Sequence, residues 1–168
     1  MRITFSLIVL CLSAVLFTSC NMFLRSSIKA DGKQVPPDFG AEGDTLLVIE
    51  QAINSYDKYL HKHFKKRYSG PYIIILREEM FSDQYADTKK YKYVFGQDIS
   101  VMEFRTRESY PIPERRECSK FFIMDRDTNK HYRTKRCSGR FAAPMKIYIE
   151  VIEKERKKNS AAALIPSI

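Results

Sequence analysis

The chain has 168 residues, with 29 Lys and Arg against 20 Asp and Glu, a formal charge of +9 at neutral pH. That length supports one domain of ordinary size with a real core, and not two. The basic balance favours anionic partners: phospholipid head groups, lipopolysaccharide or an acidic protein.

The N-terminus opens with Met1-Arg2 and continues without a charged residue from Ile3 to Phe17. The run is shorter than the roughly 20 apolar residues that a spanning helix needs, and Arg25 and Lys29 close it off, so a cleaved secretory signal is expected. The stretch Leu16-Phe17-Thr18-Ser19-Cys20 resembles the lipobox of bacterial lipoproteins, with Phe17 standing where that family usually has Leu. The resemblance implies a signal peptide over 1–19 and diacylglycerol on Cys20, and hence a membrane as the first partner. Several acyl chains, each contributing about 0.8 kcal/mol per buried methylene, would hold the protein there. Asn21, rather than Asp, after the cysteine implies the outer membrane, facing the periplasm. Removal of 1–19 leaves 149 residues with 28 basic and 20 acidic side chains, a charge of +8. Outside the cytoplasm nucleic acid is not an expected partner.

Residues 20–43 read as a lipidated tether, because Pro36-Pro37, Gly40 and Gly43 break any period and little apolar surface is present to offset ordering. From Asp44 to about Arg67 apolar residues recur at Leu46, Ile49, Ile53, Tyr56, Leu60 and Phe64, which predicts one long helix. Ser69-Gly70-Pro71 ends it, and Tyr72–Leu76 reads as a central strand. Residues 77–88 read as a connector. Tyr91–Phe95 and Ile99–Thr106 read as a hairpin about Gly96-Gln97-Asp98, followed by an exposed loop over 107–117.

Phe121–Met124 and His131–Thr134 flank a turn-rich stretch and predict a second hairpin. With the turn centred between Asp127 and Thr128, opposed residue numbers sum to 255, as Cys118 and Cys137 do. A disulfide between these two cysteines is therefore expected, in a compartment that permits one. Met145–Ile152 alternates and predicts a last strand, with a helix as the alternative reading because Glu153–Lys158 could extend one. Residues 159–168 read as a disordered tail.

These elements predict an α+β domain over 44–158, its long N-terminal helix packed on a curved antiparallel sheet of about five to six strands. Element order alone resembles cystatin and NTF2-like folds. No cofactor is implied. His61 and His63 stand two apart and point about 200° from each other on a helix, unlike paired metal ligands four apart. Lys90, Tyr91, Lys92 and Tyr93 mix cations with aromatic rings and form a candidate binding strip for an anionic glycan, a lipid or an envelope protein. Glu78, Glu79, Asp83 and Asp87 are the candidate carboxylates for a cell-envelope hydrolase, which needs one buried and one ionised acid. The leading expectation is a non-enzymatic, membrane-tethered interaction module of the cell envelope, in one specific version an immunity-type protein that blocks an incoming toxin.

Overall fold

The computed structural model describes residues 34–104, 114–135 and 137–163. In chain order the elements are β1 (Leu46–Glu50), α1 (Asn54–Arg67), β2 (Tyr72–Leu76), β3 (Tyr93–Phe104), β4 (Glu114–Asp125), β5 (Lys130–Arg133) and α2 (Ala142–Ala163). Two single 3-10 turns, Glu79–Phe81 and Asp83–Tyr85, lie between β2 and β3. The strands form one sheet in the order β2-β1-β3-β4-β5. Strand β1 runs parallel to both its neighbours, whereas β3, β4 and β5 are antiparallel.

The α+β class agrees with expectation, and its arrangement does not. The long helix is α2, at the C-terminal end, and the sheet is mixed and not strongly curved. Helical spacing over 44–67 selects Leu46 and Ile49 but passes over Leu47 and Val48, which are equally apolar. All four are at most 3% exposed, the pattern of a strand covered on both faces. Ala52, at φ +56°, then turns the chain out of β1, and the helix begins only at Asn54. The element-order likeness to cystatin and NTF2-like folds fails with this strand.

Three further elements differ from the sequence reading. Gly96-Gln97-Asp98 is no turn: β3 runs straight through it for twelve residues. Gly96 lies under the Phe122 ring of β4, where a Cβ would collide, so its missing side chain serves packing rather than chain reversal. Strand β2 is an edge strand, although its apolar run suits a central one. Residues 145–152 are helical, because Met145, Ile147, Tyr148, Ile149 and Ile152 are all buried in a layer that a helix fills. Tertiary burial there overrides the β preference of the isoleucines. Residues 107–113 of the expected loop lie outside the described residues, and 114–117 belong to β4.

Both helices cover one face of the sheet. Tyr56, Leu60 and Phe64 of α1 and the buried residues of α2 meet Leu46, Val48, Tyr93, Phe95, Phe121 and Ile123. The Phe64 and Phe95 rings stand edge to face at 5.0 Å. On the opposite face the β2–β3 connector lays Met80, Tyr85 and Tyr91 against Leu47, Ile49, Ile75 and Val94. Burial of such a side chain stabilises by about 1.5–3 kcal/mol, so both layers hold β1 in place.

The stretch read as tether is docked from Gln34 onwards. Val35 and Phe39 are buried, and the Phe39 ring meets Tyr93 at 5.1 Å. Asn159 Nδ2 donates to the carbonyls of Pro37 and Phe39 at 2.9 and 3.0 Å, and Ser160 Oγ donates to that of Gly40 at 2.7 Å. The first residues of the expected tail are thus the last turns of α2, held against this strap.

Arg156 joins strap, helix and turn. Its Nε donates to Glu153 at 2.9 Å and its Nη2 donates to Ser69 Oγ at 2.9 Å. Ser69 Oγ in turn donates to Glu153 at 2.6 Å, and Lys157 adds an ion pair at 3.2 Å. Gly70 leaves room for the arginine stem, since a Cβ there would stand 2.7 Å from Arg156 Cδ. Burial alone would raise the Glu153 pKa, but the hydrogen bonds from Arg156, Ser69 and Lys157 outweigh it and hold the carboxyl at about 2. A carboxyl depressed from its usual 4.5 contributes stability that is complete above about pH 4.5 and is lost as pH falls towards 2. Urea unfolding across pH 6 to 2 is therefore expected to show a slope in that window that is shallower in Glu153→Gln by up to one proton. Equal slopes in both proteins would mean that Glu153 is not held ionised.

Candidate functional site

Strand β1 has five residues and β3 has twelve. Strand β4 pairs along the whole of one β3 edge, but β1 pairs with the other edge only at Val94 and Phe95. From Gly96 outward that edge has no strand partner among the described residues. The chain leaves β1 into α1 on one face, and the connector after β2 covers the opposite face. In open sheets, ligands bind in the crevice outside the carboxyl ends of parallel strands where connections diverge in this way. A cleft of about 620 Å³ lies there, between the ends of β1 and β2 and the free edge of β3.

Cations dominate its wall. Arg77, just past β2, Lys120 on β4 and Arg133 on β5 all line it, against one acid, Asp98. Arg133 Nε donates to Asp98 at 2.8 Å. Arg77 and Lys120 have no carboxylate partner among the described residues. The cleft therefore presents two uncompensated positive charges.

Two amides in the same wall are unmatched. Gln97 is 4% exposed; its Nε2 donates to Ser119 Oγ, and its Oε1 has no partner. One hydroxyl can satisfy only one end of the amide, whichever way the amide is turned. Gln51 Nε2 is also buried without a partner. Each unmatched buried group costs about 1–3 kcal/mol. The left-handed Ala52 stands beside Gln51. Unmatched buried atoms occur also at Gln34, Tyr56 and His63, so what sets this place apart is the pair of cations in the same wall.

The disulfide stiffens the far side. Cys118 and Cys137 are joined with Cα atoms 5.3 Å apart. The β4–β5 register pairs Phe122 with Arg133, Ile123 with Tyr132 and Met124 with His131, the alignment expected from the turn. Beyond it the pairing slips, placing Ser119 opposite Ser138, yet the cysteines still meet. Cys118 lies directly across from Ser100, a residue of the cleft wall. The crosslink thus fixes the part of β4 that backs the free edge.

The other sequence candidates lie elsewhere. Tyr91 and Tyr93 are buried, so neither ring of the strip from Lys90 to Tyr93 is offered to a partner. Tyr93 opens β3 and points into the helical layer, while Tyr91 precedes the strand and packs on Tyr85 at 5.3 Å in the opposite layer. Lys92 is paired with Asp38 at 2.6 Å, and Lys90 is exposed over the Tyr91 ring. Glu78, Glu79, Asp83 and Asp87 are exposed, and none lines the cleft. Two of them shape the connector: Glu79 accepts from the Leu76 N–H at 2.7 Å, and Asp87 accepts from Lys89 and Lys90 at 3.0 and 3.3 Å. His61 pairs with Glu50, whereas His63 is buried against the Tyr59 ring. Among the described residues no three His, Cys, Asp or Glu side chains are grouped to hold a metal ion. Cys20 lies outside the described residues.

Sequence reading missed Gln51, Arg77, Gln97, Lys120 and Arg133. The available signal was Gln97, a polar residue in step with Tyr93, Phe95, Ile99 and Val101 at strand spacing. If its amide serves a ligand rather than the fold, Gln97→Met keeps the unfolding free energy within about 1 kcal/mol of the parent. A loss above about 2 kcal/mol in urea unfolding would make Gln97 a structural residue. Compared with protein-family models and with curated proteins, the chain matches none, and its function is argued from the site alone.

Proposed function

We propose that the chain is a lipid-anchored protein of the bacterial cell envelope that works as a non-catalytic binding module, its partner docking in the cleft at the end of β1. The observation that carries the reading is the pair of uncompensated cations, Arg77 and Lys120, beside the unmatched amides of Gln51 and Gln97. Such groups recognise an acidic partner, and in a fold that gains nothing from them they are otherwise a cost. Supporting the address are the Leu16–Cys20 stretch and the Cys118–Cys137 bridge, a type of link that persists in oxidising compartments. Asn21 after the cysteine supports the outer membrane, with the domain facing the periplasm, as the site of anchoring. An immunity-type protein that captures an incoming toxin is the specific form that suits a tethered binding domain.

Intact mass of the protein from the membrane fraction tests the address. The expected mass is that of a chain beginning at Cys20 with acyl groups added, gaining two alkyl groups only after reduction. Cys20→Ser is expected to leave the membrane fraction. A mass that retains residues 1–19, or a Cys20 that alkylates without reduction, contradicts the anchor.

A further inference from the structure

We propose that the free edge of β3 takes up an extended acidic segment of a partner polypeptide as an added strand, with Arg77 and Lys120 holding its carboxylates. The inference rests on the binding-module reading and gives it an occupant.

Among the described residues nothing covers the edge. Between Gly96 and Val101 the sequence is Gly-Gln-Asp-Ile-Ser-Val, without the Pro or Lys that usually blunts an edge strand. Its one charge, Asp98, is already taken by Arg133. An incoming strand at the usual spacing of about 4.8 Å would find main-chain donors and acceptors there, the basis of strand addition.

Side chains add selectivity. Ile99 and Val101 alternate on one face of β3 and are 50% and 60% exposed, a strip for the apolar side chains of an added strand. Arg77 and Lys120 supply the charge, so the guest combines apolar and acidic residues. Buried Gln97, in step with Ile99 and Val101 and with one amide end unmatched, provides a fixed polar contact on their face. A second copy of this chain is disfavoured as occupant, because antiparallel pairing of two β3 edges would bring the same cations together on two basic molecules. The charge pattern fits a different, acidic chain.

The test uses the full chain, purified in non-ionic detergent, and a fluorescent ten-residue peptide of alternating Glu and Val followed by anisotropy. Saturable binding is expected. Affinity should fall at least tenfold for the same peptide with Lys in place of Glu, and at least tenfold for the N-methylated peptide, which keeps its charge and loses its donors. Arg77→Ala with Lys120→Ala should also weaken binding at least tenfold, with the unfolding midpoint unchanged because neither side chain has a carboxylate partner among the described residues. Absence of binding at millimolar peptide overturns the proposal. So does equal binding of the N-methylated peptide, which would mean capture of an anion, such as an acidic glycan, without strand pairing. Failure here with the acylated mass intact removes the occupant and leaves the anchor standing.

Discussion

Five residues, Leu46–Glu50, set the terms for the rest of the structure. A strand parallel to both its neighbours must be covered on both faces, and β1 is: Leu46 and Val48 face the helices, Leu47 and Ile49 face the connector. That requirement calls for α1 on one side and the 3-10 turns on the other. It also ends early. Beyond Glu50 the chain must turn at Ala52 to start α1, while β3 continues past it with β4 on its far side. The cleft is the space that the short strand leaves beside the long one.

The two ends of β1 are treated in opposite ways. At its amino end, Arg156, Glu153, Ser69 and Lys157 form a closed network in which the buried carboxylate has three partners. Gly40 and Gly70 make room for the arginine, and the strap from Gln34 to Phe39 seals that region under the last turns of α2. At its carboxyl end Gln51 Nε2 and Gln97 Oε1 have no partner among the described residues, as both ends of the Gln34 amide have none in the strap, but at the cleft Arg77 and Lys120, cations without a carboxylate partner among the described residues, line the same wall. That conjunction of open charge and unmatched amide is the physical ground for placing function at the cleft.

Much of the local chemistry was legible in the sequence. The β4–β5 hairpin follows from turn residues and a symmetric pair of cysteines, because register in a hairpin is fixed by the turn. The end of α1 follows from Ser69-Gly70-Pro71. What could not be read was competition between periods. Leu46–Ile49 satisfies a helical stripe and a buried strand at once, and the five-residue length of β1 is settled only by what packs on both faces. Met145–Ile152 alternates like a strand and folds as a helix because Met145, Ile147, Tyr148, Ile149 and Ile152 are all buried in the helical layer. The cleft was less legible still: Gln51, Arg77, Gln97, Lys120 and Arg133 are dispersed over more than eighty positions, and only sheet order brings them together. Tyr91 and Tyr93 show the converse, since an aromatic-basic run looks like a binding surface until the tyrosines are found in two separate cores.

The account stands on the bareness of the β3 edge, and amide hydrogen exchange of the free protein reads it directly. Val94 and Phe95, between two strands, should exchange slowly throughout, whereas between Gly96 and Val101 every second amide, the one pointing away from β4, should exchange rapidly. Slow exchange at every amide along β3 would contradict the account, because the edge would already be covered by the chain itself and nothing would be left for a partner to pair with.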